Sequence, residues 1–143
     1  MTGARLAFLD PRTDPLYAGE VDLRYRVLRA PLGMARGAVG FPGELDALHL
    51  VAVEGGEVRG CVLFDFTSGR LRAMAVDPTR QRTGLGATLV RRLEEELRAR
   101  GVAEVTLHAR ADVVGFYEAL GYALEGAPFT EVGIPHRAMR KAL

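Results

Sequence analysis

The residues best suited to chemistry begin at Gln81-Arg82-Thr83-Gly84-Leu85-Gly86-Ala87, where two glycines and a cation meet the start of a long amphipathic run. An apolar, strand-like stretch over 71–76, ending in Met74-Ala75-Val76, precedes them and breaks at Asp77-Pro78. A helix that opens this way leaves its first N–H groups without partners, at the positive end of the helix dipole. Gly84 and Gly86 keep side chains away from that backbone, and Arg82 adds a full positive charge beside it. The order reads as a turn that binds a pyrophosphate. Other phosphate turns are set aside by spacing: there is no GxxxxGK[ST], and a single GxG lacks the third glycine of a dinucleotide fingerprint.

The elements that must position this turn follow from periodicity. A strand is expected over 5–9 and a helical segment over 15–29, with Leu16, Leu23, Val27 and Leu28 on one face. Residues 32–46 are glycine-rich and irregular. Strands over 48–53 and 58–66 flank a Glu54-Gly55-Gly56-Glu57 hairpin, and 70–76 follows after Thr67-Ser68-Gly69. The helix over 84–100 repeats Leu85, Leu89, Leu93 and Leu97, places Arg91, Arg92, Glu94, Glu95, Glu96 and Arg98 on its polar face, and stops at Gly101. A strand over 103–108, a short helix from Asp112 to about 120 and two last strands over 122–125 and 137–143 complete the chain. The β-α-β passage through 71–109 implies one parallel pair with a right-handed crossover. The expected fold is α/β (α+β): one domain over 1–143, with a mixed, mostly antiparallel sheet of six to seven strands and helices on both faces.

Composition narrows the partners. A chain of 143 residues with 48% hydrophobic and 26% charged residues is ordinary for one globular domain. A net charge of +1 gives no reason to expect nucleic acid or an anionic membrane as partner. Lys141 is the only lysine among 19 basic residues, a bias of the kind GC-rich genomes produce. The single Cys61 sits in an apolar run and reads as buried packing. No signal-like or spanning stretch is present, so a cytoplasmic location is expected. The three histidines are dispersed and no metal is expected; Ser68, the only serine, lies in a turn without a nucleophile-elbow context.

Gln-x-x-Gly-x-Gly after a strand ending Val-Asp-Pro resembles the acetyl-coenzyme A signature of the GNAT superfamily of N-acetyltransferases. The segment Phe116-Tyr117-Glu118-Ala119-Leu120-Gly121-Tyr122 looks like the second common signature of that superfamily. The tail Glu131-Val132-Gly133-Ile134-Pro135-His136-Arg137-Ala138-Met139 resembles the bacterial ElaA-like branch. The resemblance implies acetyl-coenzyme A as co-substrate, held by residues 74–76, by 81–87 and by Phe116 and Tyr117. It implies that the strand over 70–76 splays from its parallel neighbour so that its backbone pairs with the pantetheine arm. Arg110 stands where many members carry an asparagine that bonds the pantetheine, and its longer side chain is a candidate for a phosphate contact.

The implied reaction is direct attack of an amine on the thioester. A backbone N–H near Met74 would stabilise the oxyanion and Tyr117 would protonate the departing thiolate. For the base, His49, His108, Glu131 and His136 are candidates; His49 also reads as a packed histidine and His136 as part of a tight Gly-Ile-Pro-His turn, and Glu131 could instead bind the ammonium. The acceptor is a small-molecule or peptide amine, the oligomeric state stays open although members of the superfamily are often homodimers, and a non-catalytic acyl-coenzyme A sensor of the same fold is the alternative.

Overall fold

Apolar alternation builds the sheet and leucine periodicity covers it. The computed structural model describes residues 3–143. Its strands are β1 (Arg5–Leu9), β2 (Leu48–Glu54), β3 (Glu57–Asp65), β4 (Arg70–Val76), β5 (Glu104–Arg110), β6 (Ala123–Glu131) and β7 (Ile134–Ala142). Its α-helices are α1 (Tyr17–Arg24), α2 (Leu85–Ala99) and α3 (Val114–Glu118). The seven strands form one sheet in the order β1-β2-β3-β4-β5-β7-β6. Every pairing is antiparallel except β4 with β5. The expected mixed, mostly antiparallel sheet is therefore present, with helices on both faces.

One core lies under α2 and α3. Leu85, Leu89, Leu93 and Leu97 are buried together with Val105, Leu107, Tyr117 and Tyr122, each side chain contributing about 1.5–3 kcal/mol on burial. The helix lies close against β3 at Gly60, where a Cβ would fall 2.9 Å from Leu89 Cδ1. Glu94, expected on the polar face, is instead buried on the core side, where it accepts from Tyr122 Oη at 2.8 Å and Lys141 Nζ at 2.9 Å. A second core on the opposite face gathers Leu23 of α1 with Val51, Val53, Val58, Cys61, Leu63 and Ala75. Cys61 is packing there, as its sequence context implied, and burial pushes its thiol pKa up.

Three local departures from expectation shape the site. The helix expected over 15–29 is α-helical only to Arg24 and continues as a π-helical turn, Tyr25–Arg29; such turns widen a helix and cluster at functional sites. β6 and β7 are longer than expected, and the tight turn is Val132-Gly133, both at positive φ (47° and 78°). Glu131 and Ile134 close that turn as a pair, so Glu131 ends a strand and His136 lies within one. Third, Leu63 pairs with Arg72 and Cys61 with Ala75, leaving Ala73 and Met74 opposite Val62 alone. This bulge puts Ala73 at φ 54° and bends β4.

Candidate active site

β4 and β5 pair at only two positions, Arg70↔Thr106 and Leu71↔Leu107, and then part. The bulge at Ala73 starts the divergence, with the Cys61 thiol donating to the Ala73 carbonyl at 3.2 Å from behind. Between the strands opens a cleft of about 1140 Å³ that reaches both faces of the sheet. Met74, Ala75 and Val76 line one wall and Tyr117 and Phe116 on α3 line another.

The mouth of the cleft is the turn expected to bind phosphate. Gly84 caps α2 at φ 86°, a left-handed conformation that favours glycine, and no side chain caps the helix in its place. Arg82 is also left-handed, at φ 63°, and a non-glycine residue held there stores strain of the kind found at ligand clamps. Gln81 Nε2 donates to the Val76 carbonyl at 3.1 Å and so ties the turn to the end of β4. Gly86 has a second role: a Cβ there would fall 3.0 Å from Met74 Cε and 3.3 Å from Phe116 Cζ. Gln81, Arg82, Gly84, Gly86 and Ala87 face the cleft. Thr83 and Leu85 do not line it: the Thr83 hydroxyl bonds the Arg80 carbonyl and the Leu85 side chain joins the core. Any part they play in binding an anion is through the backbone.

Tyr117 is buried, and its ring meets those of Phe116 and Tyr122 edge-on at 4.9 and 5.7 Å. Burial pushes its pKa well above that of a free phenol, so the hydroxyl keeps its proton.

The opposite face of the splay carries a cluster of polar side chains. Val105, Leu107 and Ala109 of β5 face α2, so Thr106, His108 and Arg110 face the other side of the sheet. His136 sits directly across from Arg110 in the β5–β7 ladder and across from Phe129 in the β6–β7 ladder. His108 Nδ1 lies 2.9 Å from Glu131 Oε1 and 2.9 Å from Arg70 Nη2. One nitrogen cannot serve both: protonated it donates to Glu131, unprotonated it accepts from Arg70. His136 is specified more tightly. Its Nδ1 lies 2.9 Å from the Ile134 carbonyl, which only accepts, so Nδ1 carries the proton. In the neutral ring Nε2 then holds the lone pair, 3.6 Å from Glu131 Oε2. Glu131 is held below the usual carboxylate range: burial pushes it up, but the His108 hydrogen bond and the charges of His108, His136 and Arg70 outweigh this. Arg110 donates to the Leu28 carbonyl of the π-helical turn at 3.0 Å, bridging the cleft.

Of the four candidate bases, His108, Glu131 and His136 are brought together and His49 is not. His49 is fully buried behind α1, between Glu20 and the Glu44 carbonyl, both at 2.8 Å. Sequence reasoning missed Arg29 and Arg70. Strand alternation pairs His108 with Arg110 on one face, a signal present in the sequence; nothing in the sequence marks the bulge at Ala73. Among the described residues no group of side chains has the arrangement of a metal site, and no helix is long and apolar enough to cross a membrane.

Comparison with known proteins agrees with this geometry. Residues 41–143 match the family model described as acetyltransferase (GNAT) domain. The Bacillus subtilis protein YyaT is 33% identical over 76 residues, 53% of this chain and 51% of that protein. The chain thus spans about half the length of the curated relatives it matches. Escherichia coli ElaA superposes with a TM-score of 0.81 at 17% identity, covering 96% of this chain and 99% of the other. An aminoglycoside 6'-N-acetyltransferase solved with coenzyme A superposes with a TM-score of 0.74 at 20% identity, covering 96% of each.

Proposed function

Because the chain belongs to the acetyltransferase (GNAT) domain family, we propose that it transfers the acetyl group of acetyl-coenzyme A to a primary amine of a small molecule or peptide. The observation that carries this reading is the parting of β4 and β5 after two paired residues, with an uncapped helix N-terminus at the mouth of the gap. The glycine at φ 86° and the open first turn of α2 suit a pyrophosphate, and the free edge of β4 beyond Ala73 suits an amide-bearing arm. Residues 82–87 would hold the phosphates and Met74 to Val76 the pantetheine. The coenzyme supplies an acetyl carbonyl activated as a thioester.

Glu131 and His136 handle the amine. The Glu131 carboxylate draws in the ammonium, and His136 Nε2 accepts a proton from it, directly or through water, so that nitrogen can attack. The N–C bond forms as the C–S bond breaks, and an N–H of the bulged strand near Met74 holds the oxyanion. Tyr117 gives its proton to sulfur, the second proton shed by the new amide nitrogen passes through water to the phenolate, and His136 releases its proton to solvent. Holding amine and thioester on opposite sides of one gap supplies much of the acceleration through proximity.

Calorimetric titration with acetyl-coenzyme A, with ATP and NAD as controls, followed by thiol release across an amine panel, tests this. Binding of acetyl-coenzyme A alone with amine-dependent thiol release is the expected result. Binding without transfer to any amine would leave a sensor of the same fold, and no binding by the folded protein would overturn both.

A further inference from the structure

The acceptor side of the cleft carries an excess of guanidinium groups without counter-ions. Five arginines line it on that face: Arg24, Arg29, Arg70, Arg72 and Arg110. Arg24 is paired with Glu20 and Glu44, and Arg72 lies 3.5 Å from Asp65. Arg29, Arg70 and Arg110 have no carboxylate within 4.0 Å among the described residues. Arg29 is half-buried, held by the carbonyls of Ala38 and Leu28, both at 3.2 Å. Burial and the neighbouring charges of Arg110 and Arg24 pull its pKa down and outweigh the opposing charge of Glu131; burial and Arg72 do the same to Arg70 against Glu131 and Asp65. Cations desolvated and crowded in this way are costly unless an anion joins them.

Resting on the acetyltransfer reading, we propose that the acceptor is an amine carrying a carboxylate close to its nitrogen, a free amino acid in its simplest form, and that Arg70 binds that carboxylate while Arg29, lining the same cleft, adds its charge. The coenzyme's phosphates do not account for these residues. The phosphate turn lies at the open end of the splay, whereas Arg70 pairs with Thr106 at its closed end, and Thr106, His108 and Arg110 face away from α2.

The spacing of the polar groups sets the size of the ligand. Arg70 Nη2 and Glu131 Oε1 approach the same atom, His108 Nδ1, each at 2.9 Å. A cationic fork and a carboxylate separated by one imidazole nitrogen match an acid group and an ammonium on the same or adjacent carbons. The arrangement also resolves the conflict at His108. A carboxylate seated on Arg70 takes its N–H away from Nδ1, which is then free to carry a proton and donate to Glu131. Phe129, edge-on to His108 at 4.9 Å, closes the pocket with an apolar wall.

The test compares L-amino acids with the matching amino-acid amides and decarboxylated amines, by thiol release at saturating acetyl-coenzyme A. The expected result is kcat/KM at least about tenfold higher for the best acids than for their amides, a difference of about 1.4 kcal/mol. Arg29→Gln and Arg70→Gln should abolish that preference through KM for the acid, and Arg29→Lys should restore part of it. Amides or amines used equally well, or a preference surviving in both Gln variants, would overturn the inference. If acetyl-coenzyme A itself fails to bind, the acetyltransfer reading falls, and the inference is then decided by titrating the amino acids and amides directly. Binding of the acids alone, weakened in Arg29→Gln, would sustain it; no selective binding would sink it.

Discussion

Two charge clusters on the same face of the sheet are built from the same residue types and differ in one respect. Behind α1, Arg24, Glu20, Glu44, His49 and Tyr17 form a set closed in charge, with only Arg24 Nε buried without a partner among its described atoms. Arg24 contacts Glu20 at 3.0 Å and Glu44 at 2.8 Å, Tyr17 bonds Glu44, and His49 lies between Glu20 and the Glu44 carbonyl. Both His49 nitrogens face acceptors, so the ring is an imidazolium and two cations balance two carboxylates. Beside the splay, Arg29, Arg70, Arg110, His108, His136 and Glu131 form an open set: cations outnumber carboxylates, one imidazole nitrogen is claimed twice, and His136 Nε2 comes no closer than 3.6 Å to Glu131 Oε2. Buried polar groups that satisfy one another hold a fold; those left with unmet demands are where a ligand is missing. The contrast predicts that mutations in the first cluster cost stability and those in the second cost turnover.

The largest effect should come from opening the closed cluster. Arg24→Met leaves Glu20 and Glu44 buried without their cation and should cost about 3–5 kcal/mol in urea unfolding. Arg29→Gln removes a cation from a crowded set and should stay within about 0.5 kcal/mol of the parent. Equal losses from both would erase the distinction.

The complementary prediction moves turnover and spares stability. His136→Gln removes the Nε2 position whose direction is fixed by the Nδ1–H bond to the Ile134 carbonyl, and should lower kcat by about 10²–10⁴. Its unfolding midpoint should change far less than that of His49→Gln. A His136→Gln enzyme with unaltered kcat would remove His136 as the base and leave His108 in its place.

A smaller version of the contrast separates two buried tyrosines whose rings are 5.7 Å apart. Tyr122 donates to Glu94 at 2.8 Å, whereas Tyr117 lines the cleft. Tyr117→Phe should lower kcat about 10²-fold with little change in acetyl-coenzyme A affinity. Tyr122→Phe strips a partner from a buried carboxylate and should cost about 1–3 kcal/mol of stability instead. Exchanged phenotypes would reverse the assignment of the general acid.

Legibility in the sequence divides along the same line as the two clusters. The coenzyme side is made of backbone shape, and backbone shape is written in glycines, breaks and periodicity: Val76, Asp77-Pro78, Gly84 and the leucine repeat of α2 were readable as a strand, a turn and a helix start. The acceptor side is made of side chains from β4, β5, β6, β7 and the π-helical turn, which meet only in three dimensions. Arg29 and Arg70 look in sequence like solvated charges, and Glu20 with Arg24 looks like an ordinary exposed i,i+4 pair although both are buried. The positive φ of Ala73 has no residue-type signature, because alanine does not favour it; the bulge is imposed by register against β3. His136 reads in sequence as part of a turn because Gly-Ile-Pro punctuates the chain, yet Pro135 sits in β7 opposite Thr130, one residue beyond the last β5–β7 pair, where no β5 carbonyl needs its N–H.

The smallest predicted effect is a pH window whose alkaline limit is set by the closed cluster. Glu44 is held below the ordinary carboxylate range: burial opposes this, but hydrogen bonds from Arg24 and Tyr17 and the charges of Arg24 and His49 prevail. Its contribution to stability is present above its unfolded pKa and is lost as pH falls through the depressed folded value. His49 is shifted the other way. Burial pulls its pKa down, but the hydrogen bond and charge of Glu20, with the Glu44 carbonyl and carboxylate, raise it. Its contribution is complete below the unfolded value of about 6.5 and is lost as pH rises through the raised folded value. Tyr17, raised to about 12 chiefly by burial and then by its bond to Glu44, stays protonated throughout. Unfolding free energy should therefore be greatest between the two limits and decline on the alkaline side with a slope of at most about 1.4 kcal/mol per pH unit for this one proton. His49→Gln should flatten that alkaline decline while lowering the plateau. If parent and variant lose stability in parallel above neutrality, His49 is not the imidazolium its two acceptors require, and the closed cluster carries a net negative charge that the fold must balance elsewhere.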